Sequence, residues 1–356
     1  MASGRDRDEA TLQQGLARWV HECADRVPLA GGSGPPPEVR SLTHATSGLA
    51  NETVLVELTG GHPGLAVRLP PLEPTFPTYD LATQAIVQNA VAAEGVPAPA
   101  PAVAVTETDW IGVPFLAMPR VTGRIPGPAP AFDRWITGLP ADDQTTMHDG
   151  FMDALVAIHA VSWESHGLAA TLPGPTVADA LEYWSDYVAW AGGDHPLPAL
   201  STALAWCRAN IPKEPDGGSR PALLWGDPRL GNLVFDDAYR VSAVLDWDLA
   251  ALGPAEMDLG WHFGLDAMME ELFGQRVPGF PGREAALARY EARSGHRVAD
   301  LGWHEVFALT RALAINDRQQ RVAAASGQRY IGAARSAGGE GDPLVTMLLA
   351  RVATAG

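Results

Sequence analysis

Two short apolar runs separated by a polar turn constrain the fold of this chain more than any other feature. The runs are Leu233–Phe235 and Val241–Leu245, and the turn spans Asp236–Arg240. This pattern predicts a β-hairpin. A hairpin returns the end of its second strand to the start of its first. Asn232, just before the first run, and Asp246, just after the second, must therefore lie close together.

Asp227 lies five residues before Asn232, and the same hairpin brings both residues to Asp246. Carboxylates and an amide in one small volume repel each other unless a cation or a polar substrate joins them, and Mg²⁺ with phosphate suits hard oxygen ligands. The spacing is that of kinase-type phosphoryl transfer. On this interpretation Asp227 is the catalytic base for the acceptor hydroxyl, and Asn232 and Asp246 hold the metal.

Other interpretations of these residues exist. Taken singly, Asp227 could be a helix N-cap or a turn residue before Pro228. Asp246 and Asp248 could form the Asp-x-Asp nucleophile of a phosphatase at a strand end. That interpretation leaves Asp227 and Asn232 unexplained, and no lysine follows downstream. The ordered set with its hairpin favours phosphoryl transfer.

The segment WGDPRLGN, followed by VLDWDLAALGPAEMDLGW, resembles the catalytic loop and metal-binding segment of the aminoglycoside phosphotransferase superfamily. That superfamily includes choline and fructosamine kinases and shares its fold with protein kinases. The resemblance covers about residues 38–320 and is strongest over 223–261. It implies an α+β, protein-kinase-like fold with two lobes. The small lobe is an antiparallel β-sheet with one helix, and the larger lobe is mainly helical.

Several positions depart from the superfamily pattern or extend it. Trp225 stands where the superfamily mostly has a His with a mainly structural role, so this departure does not remove the chemistry. Asp248 replaces a Glu and keeps a carboxylate, whereas Pro254 replaces an Asp whose role is lost. Asp258 matches a late Asp that buttresses the catalytic loop. His159 is expected to be a core histidine that ties the same loop.

The chain contains a single lysine, Lys213, which lies in a loop rich in Pro, Asp and Gly. A lysine therefore cannot bind nucleotide phosphates in the N-terminal half. Arg68 falls where the resemblance places the phosphate-binding lysine, and arginine binds phosphate bidentately and is always charged. The resemblance implies Gln84 on the next helix as its partner, with Asp80 one turn earlier as the alternative.

The resemblance also implies nucleotide contacts from a loop and from the interlobe connection. Ala50-Asn51-Glu52-Thr53 matches the loop that covers the nucleotide, where small residues let backbone amides approach phosphate. Phe115–Arg124 matches the connection that binds adenine, although its Pro119 has no N–H to donate. The residues predicted here to contact ATP, with GTP as the other candidate, are Ser47, Gly48, Asn51, Met118 and Val121.

Apolar periodicity organises the rest of the chain. Helices are predicted over residues 8–27, 78–94, 142–163, 177–190, 200–210, 284–294, 304–325 and 343–352, and strands over 54–58, 65–71, 100–105, 113–118 and 222–225. We expect an N-terminal helix and linker over 1–37, a nucleotide-binding lobe over 38–120, and a lobe over 121–356 with the catalytic loop, metal site and acceptor site.

Two groups of side chains in the second half have two interpretations each. Aromatic residues at helical spacing usually pack in a core, although they could form a substrate platform. They are Tyr183, Trp184, Tyr187 and Trp190. An acidic cluster is either a solvated face or part of the acceptor site, and it comprises Asp266, Glu270 and Glu271.

The composition limits partners and compartment. A net charge of −17 over 356 residues argues against nucleic acid and anionic membranes as partners. Two cysteines are too few for a disulfide framework, which favours a reducing compartment. The charged first residues lack a signal core, and no apolar run approaches a bilayer span. We therefore expect a cytoplasmic monomer or homodimer that binds a nucleotide and a small molecule.

The sequence thus predicts an ATP- and Mg²⁺-dependent phosphotransferase that acts on a hydroxyl of an aminoglycoside-like compound, a sugar or an amino-alcohol. The alternative is a catalytically inactive nucleotide- or partner-binding module, which the departures at Trp225, Gln84 and Arg68 support. The intact set of Asp227, Asn232 and Asp246 favours the enzyme. The sequence leaves open the acceptor and the choice between ATP and GTP.

Overall fold

The chain folds into a small lobe built on a β-sheet and a larger lobe dominated by helices. The computed structural model describes residues 7–29, 37–45, 52–194, 196–213, 221–325 and 343–354. In chain order, the helices and strands of these residues are α1 (Glu9–Glu22), β1 (Val39–His44), β2 (Glu52–Leu58), β3 (Leu65–Leu69), α2 (Leu81–Ala93), β4 (Val103–Val105), β5 (Phe115–Pro119), α3 (Arg134–Thr137), α4 (Ala141–His159), α5 (Val177–Gly192), α6 (Pro198–Ala209), β6 (Ala222–Leu224), β7 (Leu233–Phe235), β8 (Val241–Val244), β9 (Ala251–Gly253), α7 (Glu256–Phe273), α8 (Arg283–Ser294), α9 (Leu301–Ala325) and α10 (Pro343–Thr354). This order confirms the predicted α+β class.

The small lobe is an antiparallel sheet whose described strands lie in the order β1-β2-β3-β5-β4. Successive side chains of a strand point to opposite faces. In β5, Phe115 and Ala117 therefore pack in the cluster under α1. Leu116 and Met118 pack in the cluster under α2. The same alternation in β3 puts Arg68 on the α2 side of the sheet, opposite Leu116 in the register.

Helix α1 covers the other face of this sheet. Its buried apolar side chains are Leu12, Leu16, Trp19 and Val20. The ring of Trp19 meets Phe115 edge-on, with 5.1 Å between the ring centroids. Burying one leucine or valine side chain of this face stabilises a fold by about 1.5–3 kcal/mol. The predicted N-terminal helix thus packs into the small-lobe core, while the division of the chain at residues 37 and 120 stays a prediction.

The large lobe places the predicted hairpin in its core. Leu233 of β7 pairs with Val244 of β8. These strands pack in one buried cluster with Phe151 and Leu155 of α4. The other predicted helices and strands are present with shifted ends. Within the described ranges, no helix is both long and apolar enough to cross a bilayer.

Two elements beside the hairpin are absent from the sequence predictions. Strand β9 spans three residues and pairs antiparallel with β6, which is too short a run to leave a periodic pattern. Every residue from Glu256 to Gly264 in α7 is buried. A helix that is buried all round carries no apolar stripe of 3.6-residue period. The first half of α7 therefore gave no amphipathic signal.

Helices α7 and α9 approach each other closely at Gly260. A Cβ atom at this position would lie 2.6 Å from the Cβ of His304, closer than two carbon atoms can pack. A Cβ atom added at Gly302, in the first turn of α9, would have no other atom within 4 Å. Glycine at 260 is thus required by packing, whereas glycine at 302 is not.

We predict that Gly260→Ala lowers the free energy of unfolding by about 1–3 kcal/mol, because the added methyl group forces α7 and α9 apart. Gly302→Ala is the matched control and should leave stability unchanged or raise it by up to about 1 kcal/mol. Urea unfolding followed by circular dichroism measures both values. Equal stability of the two variants would contradict the close approach.

Candidate active site

The hairpin brings Asn232 to the segment that follows β8. The backbone N–H of Leu245 donates to the carbonyl of Asn232 at 2.9 Å, extending the β7–β8 pairing by one residue. Asp246 comes next and has a φ of 65°. This left-handed conformation is uncommon outside glycine but is tolerated best by Asp and Asn. The backbone turn at Asp246 therefore ends the strand and starts the predicted metal segment.

Asp227 lies in the loop before β7 and accepts hydrogen bonds from three side chains. One carboxylate oxygen accepts from the indole Nε1 of Trp261 at 2.9 Å. The other accepts from Nδ2 of Asn232 at 2.9 Å and from Nε of Arg229 at 2.8 Å. These donors fix the carboxylate in one orientation. The structure thus brings together Asp227 and Asn232, as the spacing predicts.

Arg229 and Trp261 are site residues that the sequence interpretation missed. Arg229 pairs with Asp227, and its charge also acts on Asp246. Trp261 reaches Asp227 from α7, the helix without a sequence signal. The position of Arg229, two residues after Asp227, was the available signal. Nothing in the local pattern indicated Trp261.

Arg68 of β3 reaches across to the segment after the hairpin. Its Nη2 atom donates to Oδ1 of Asp246 at 3.1 Å and to Oδ2 of Asp248 at 3.0 Å. Burial acts against the charged form, but the two carboxylates outweigh it and raise the pKa of Arg68. Burial would raise the pKa of Asp246, but the charges of Arg68 and Arg229 outweigh it and lower that pKa. Arg68 and Asp246 therefore stay charged.

The partner of Arg68 differs from both candidates on α2. Gln84 is buried, and its Oε1 has no hydrogen-bond partner in the described part of the chain. Asp80 caps α2, where its carboxylate accepts the backbone N–H of Thr83 at 2.9 Å. The hydrogen bonds of Arg68 run instead to Asp246 and Asp248, in the segment that follows β8. Asp248, which keeps the carboxylate of the superfamily's Glu, is one of the two residues that hold it.

A buried carboxylate fixes the loop that carries Asp227. Asp258 accepts the backbone N–H groups of Trp225 at 2.7 Å and Gly226 at 2.9 Å. A ring nitrogen of His159 lies 3.1 Å from the same carboxylate, and the other ring nitrogen lies 2.7 Å from the hydroxyl of Tyr290. The predicted supporting roles of Asp258 and His159 are confirmed by these contacts.

Trp225 links this loop to the metal segment. Its indole Nε1 donates to the carbonyl of Leu245 at 2.8 Å, one residue before Asp246. The indole is fully buried and packs beside the rings of Phe151 and Trp247. The residue that replaces the superfamily's His is therefore a structural connection between the two halves of the site.

Of the five other residues predicted to contact the nucleotide, the structure describes two, Met118 and Val121. Met118 is buried in β5, and Val121 follows in the connection to the large lobe. This connection is tied to the hairpin, because Arg124 and Phe235 exchange two backbone hydrogen bonds of 2.9 and 2.8 Å. The other three predicted residues, Ser47, Gly48 and Asn51, lie outside the described residues.

The donor atoms at the end of the hairpin fit Mg²⁺. The described residues contain no group of three or more His, Cys, Asp or Glu side chains arranged for a metal ion. Mg²⁺ does not need one, because it is commonly held by one or two carboxylates together with substrate phosphates and water. Asp246 supplies a carboxylate. Asn232 uses its amide nitrogen on Asp227, which leaves the amide oxygen for a cation.

The two groups with open interpretations are now located. Trp184 and Tyr187 are buried in the large-lobe core, which confirms packing for these two. Tyr183 and Trp190 are more than a third exposed. The acidic residues Asp266, Glu270 and Glu271 all lie on the exposed face of α7, which favours a solvated face for them.

Comparison with known proteins identifies relatives of the chain. The sequence model of a family described as "Phosphotransferase enzyme family" matches residues 41–301. Human "Acyl-CoA dehydrogenase family member 11" is 31% identical over 185 residues, which make up 50% of this chain and 22% of that protein. The chain spans less than half the length of the curated relatives it matches.

Solved structures share the fold. A Ralstonia eutropha JMP134 protein described as a candidate aminoglycoside phosphotransferase is 23% identical, with a TM-score of 0.69 over 96% of this chain and 98% of that one. A mutant of aminoglycoside phosphotransferase APH(4)-Ia, in a ternary complex with ADP and hygromycin B, is 13% identical, with a TM-score of 0.52 over 89% and 93% of the two chains. These similarities confirm the predicted kinase-like fold.

We predict that Trp225→Phe loosens the segment after β8, because it removes the hydrogen bond that the half-buried carbonyl of Leu245 accepts. The cost is about 0.5–1.5 kcal/mol of stability. Amide hydrogen exchange of residues 245–248 should accelerate. Trp303→Phe is the control, since its indole also donates to a single carbonyl, that of Cys207. If both variants accelerate exchange at 245–248 equally, the specific link through Trp225 is wrong.

Proposed function

The chain belongs to the phosphotransferase enzyme family, and we propose that it transfers the γ-phosphoryl group of ATP, with Mg²⁺, to a hydroxyl of a small molecule. The observation that carries this proposal is the hydrogen-bonded pair of Asp227 and Asn232 at the end of a hairpin that also presents Asp246 to Arg68. Positioning and electrostatic stabilisation account for most of the catalysis in such reactions.

Asp227 acts as the catalytic base in this proposal. Its carboxylate is oriented by Trp261, Asn232 and Arg229, and its side chain remains 17% exposed, so an acceptor hydroxyl can reach it. The carboxylate takes the hydroxyl proton as the oxygen attacks phosphorus. A positioned base of this kind contributes about 10²–10⁴-fold to a rate.

Asn232 and Asp246 hold the metal in this proposal. Bound there, Mg²⁺ would neutralise charge on the nucleotide phosphates. The low pKa of Asp246 keeps its carboxylate ionised for this purpose. Arg68 lies 3.1 Å from Asp246, so its guanidinium can bind phosphate oxygens next to the metal ligands.

The nucleotide is proposed to bind between the lobes over residues 38–120 and 121–356. Its contacts would come from Ser47, Gly48 and Asn51 of the sequence between β1 and β2, from Gln84, and from Met118 and Val121 in the connection. The buried Oε1 of Gln84 has no hydrogen-bond partner among the described residues, which leaves it for a contact with the nucleotide. The bound ADP of the APH(4)-Ia complex supports a nucleotide site in this fold, while GTP remains the other candidate donor.

Two classes of acceptor follow from the relatives. Hygromycin B in the APH(4)-Ia complex supports the predicted aminoglycoside-like compounds, together with sugars and amino-alcohols. The curated relatives are named as acyl-CoA dehydrogenase family members, which favours hydroxylated acyl thioesters as the second class. An acceptor screen should therefore contain both classes.

The alternative is a module that binds a nucleotide or a partner without catalysis. One contact favours it, because Arg68 already donates a hydrogen bond to the carboxylate of Asp246, the residue proposed to hold the metal. The two hypotheses differ in their metal dependence. In an active site, Arg68 has to release the carboxylate of Asp246 and donate to a phosphate when Mg²⁺ and the nucleotide bind together.

We predict that ATP with Mg²⁺ raises the melting temperature more than the separate shifts combined, because a ligand that binds only the folded state stabilises it by mass action. Thermal melting with ATP, GTP and Mg²⁺, alone and together, measures this effect. A nucleotide shift that is indifferent to Mg²⁺ would favour the inactive module. No shift with any nucleotide would contradict the proposed site.

We predict that Asp227→Asn lowers kcat at least about 100-fold while the shift with ATP and Mg²⁺ persists, because only the proton acceptor is lost. The rate is measured with whichever compound of the screen is phosphorylated. Asp237→Asn is the control, since this exposed turn residue of the same hairpin undergoes the same change of charge. Turnover that survives in Asp227→Asn means that Asp227 is not the base.

A further inference from the structure

Arg311 of α9 is a buried cation, and the hydrogen-bonding capacity of its Nε is unused among the described residues. Arg311 is only 4% exposed. In the described part of the chain it forms no ion pair, and its Nε has no hydrogen-bond partner. An unpaired charge away from water is costly, so such groups normally have a counter-ion. The guanidinium is thus placed to bind an anion that is not part of the protein.

Aromatic rings surround this guanidinium. Its central carbon lies 4.6 Å from the ring centroid of Trp261, 5.3 Å from that of Phe307 and 5.5 Å from that of Trp184. Ring faces attract a cation, but they do not accept its N–H groups in the plane of the guanidinium. Burial lowers the pKa of Arg311 to about 10, so the group is still charged at neutral pH.

The nearest carboxylates are committed to other donors. The charges of Asp258 and Asp227 both favour the protonated form of Arg311. Asp258, however, accepts two backbone N–H groups and a ring nitrogen of His159. Asp227 accepts from Trp261, Asn232 and Arg229. Neither carboxylate forms a hydrogen bond with Arg311. Both therefore favour its positive charge through space and leave its N–H groups for another acceptor.

Arg311 lines a small cavity at the active site. The cavity has a volume of about 60 Å³ and is walled by Tyr183, Trp184 and Leu249, with Gly226 and Asp248 on the active-site side. Asp248 is already paired with Arg68 at 3.0 Å. A cavity of this volume has room for more than one water molecule. The space therefore suits a carboxylate-sized group.

Arg311, which lines the cavity, and Asp227, the proposed base, both contact the indole of Trp261. Trp261 stacks on Arg311 and donates its Nε1 proton to Asp227 at 2.9 Å. Gly226, which lines the cavity, immediately precedes Asp227 in the chain. The cavity that Arg311 lines is therefore a neighbour of the proposed base along the chain and through Trp261.

We propose that this cavity binds a carboxylate-sized anionic group of the acceptor, with Arg311 as its counter-ion and Asp227 facing the acceptor hydroxyl. The inference rests on the proposed phosphotransferase function. It selects small hydroxy acids over amino sugars and amino-alcohols, because a buried guanidinium repels a cation and offers paired donors to a carboxylate.

The test uses a matched three-carbon series: D-glycerate, which is anionic; glycerol, which is neutral; and 3-amino-1,2-propanediol, which is cationic. Binding is followed by thermal melting and by the fluorescence of the tryptophans around Arg311. We expect a saturable response to glycerate at least about tenfold tighter than to the other two compounds. No response to glycerate, or an equal or tighter response to either other compound, overturns the proposal.

Variants of α9 then assign the response to one side chain. Arg311→Gln should weaken glycerate binding at least about tenfold, and Arg311→Lys should restore part of it. Arg318→Gln is the matched control, because Arg318 also stacks on a tryptophan, Trp190, at 4.6 Å. Equal losses in the variants at 311 and 318 overturn the proposal. If Arg311→Gln does not fold, the wild-type series and the Arg311→Lys variant decide.

The melting experiments separate this inference from the proposed function. A response to glycerate that depends on Arg311, without any shift by ATP and Mg²⁺, supports the anion site and removes the phosphotransferase. A shift by ATP and Mg²⁺ without a response to glycerate removes the anion site and leaves the phosphotransferase intact.

Discussion

The site depends on the buried carboxylate of Asp258. It is 1% exposed and is satisfied by the backbone N–H groups of Trp225 and Gly226 and by a ring nitrogen of His159. Several hydrogen bonds to one carboxylate offset the desolvation of its charge. Gly226 has a φ of 89°, and a Cβ there would lie 2.0 Å from the carbonyl oxygen of Leu249. The path of the loop that carries Asp227 is therefore fixed from α7 and α4.

The positive charges at the candidate active site of this acidic protein come from arginine and not from lysine. The chain carries a net charge of −17, yet Arg68, Arg229 and Arg311 converge on the ends of the hairpin. Arg68 and Arg229 each meet a carboxylate of the predicted catalytic set. A guanidinium keeps its charge on burial better than an ammonium does, so arginine can serve where lysine would lose its proton. A phosphate bound at this site would therefore encounter the positive local charge of these arginines and not the net charge of the chain.

The sequence predicted the parts of the site that depend on neighbours along the chain. Asn232 and Asp246 flank one hairpin, so the pairing of its strands brings them together without help from the rest of the fold. The resemblance added the support from Asp258 and His159, which the hydrogen bonds confirm. The first half of helix α7 escaped prediction because burial on all sides removes the periodic pattern on which such a prediction depends.

The sequence by itself determined the hairpin, the ordered polar residues at its ends and the two-lobed α+β class. Only the tertiary structure decided which partners the buried charges have. Arg68 meets Asp246 across 178 positions of sequence, where α2 had been expected to supply the partner. Arg311 reaches the site from α9, far from any motif. Strand pairing follows from local pattern, whereas the partner of a buried charge depends on which distant elements pack around it.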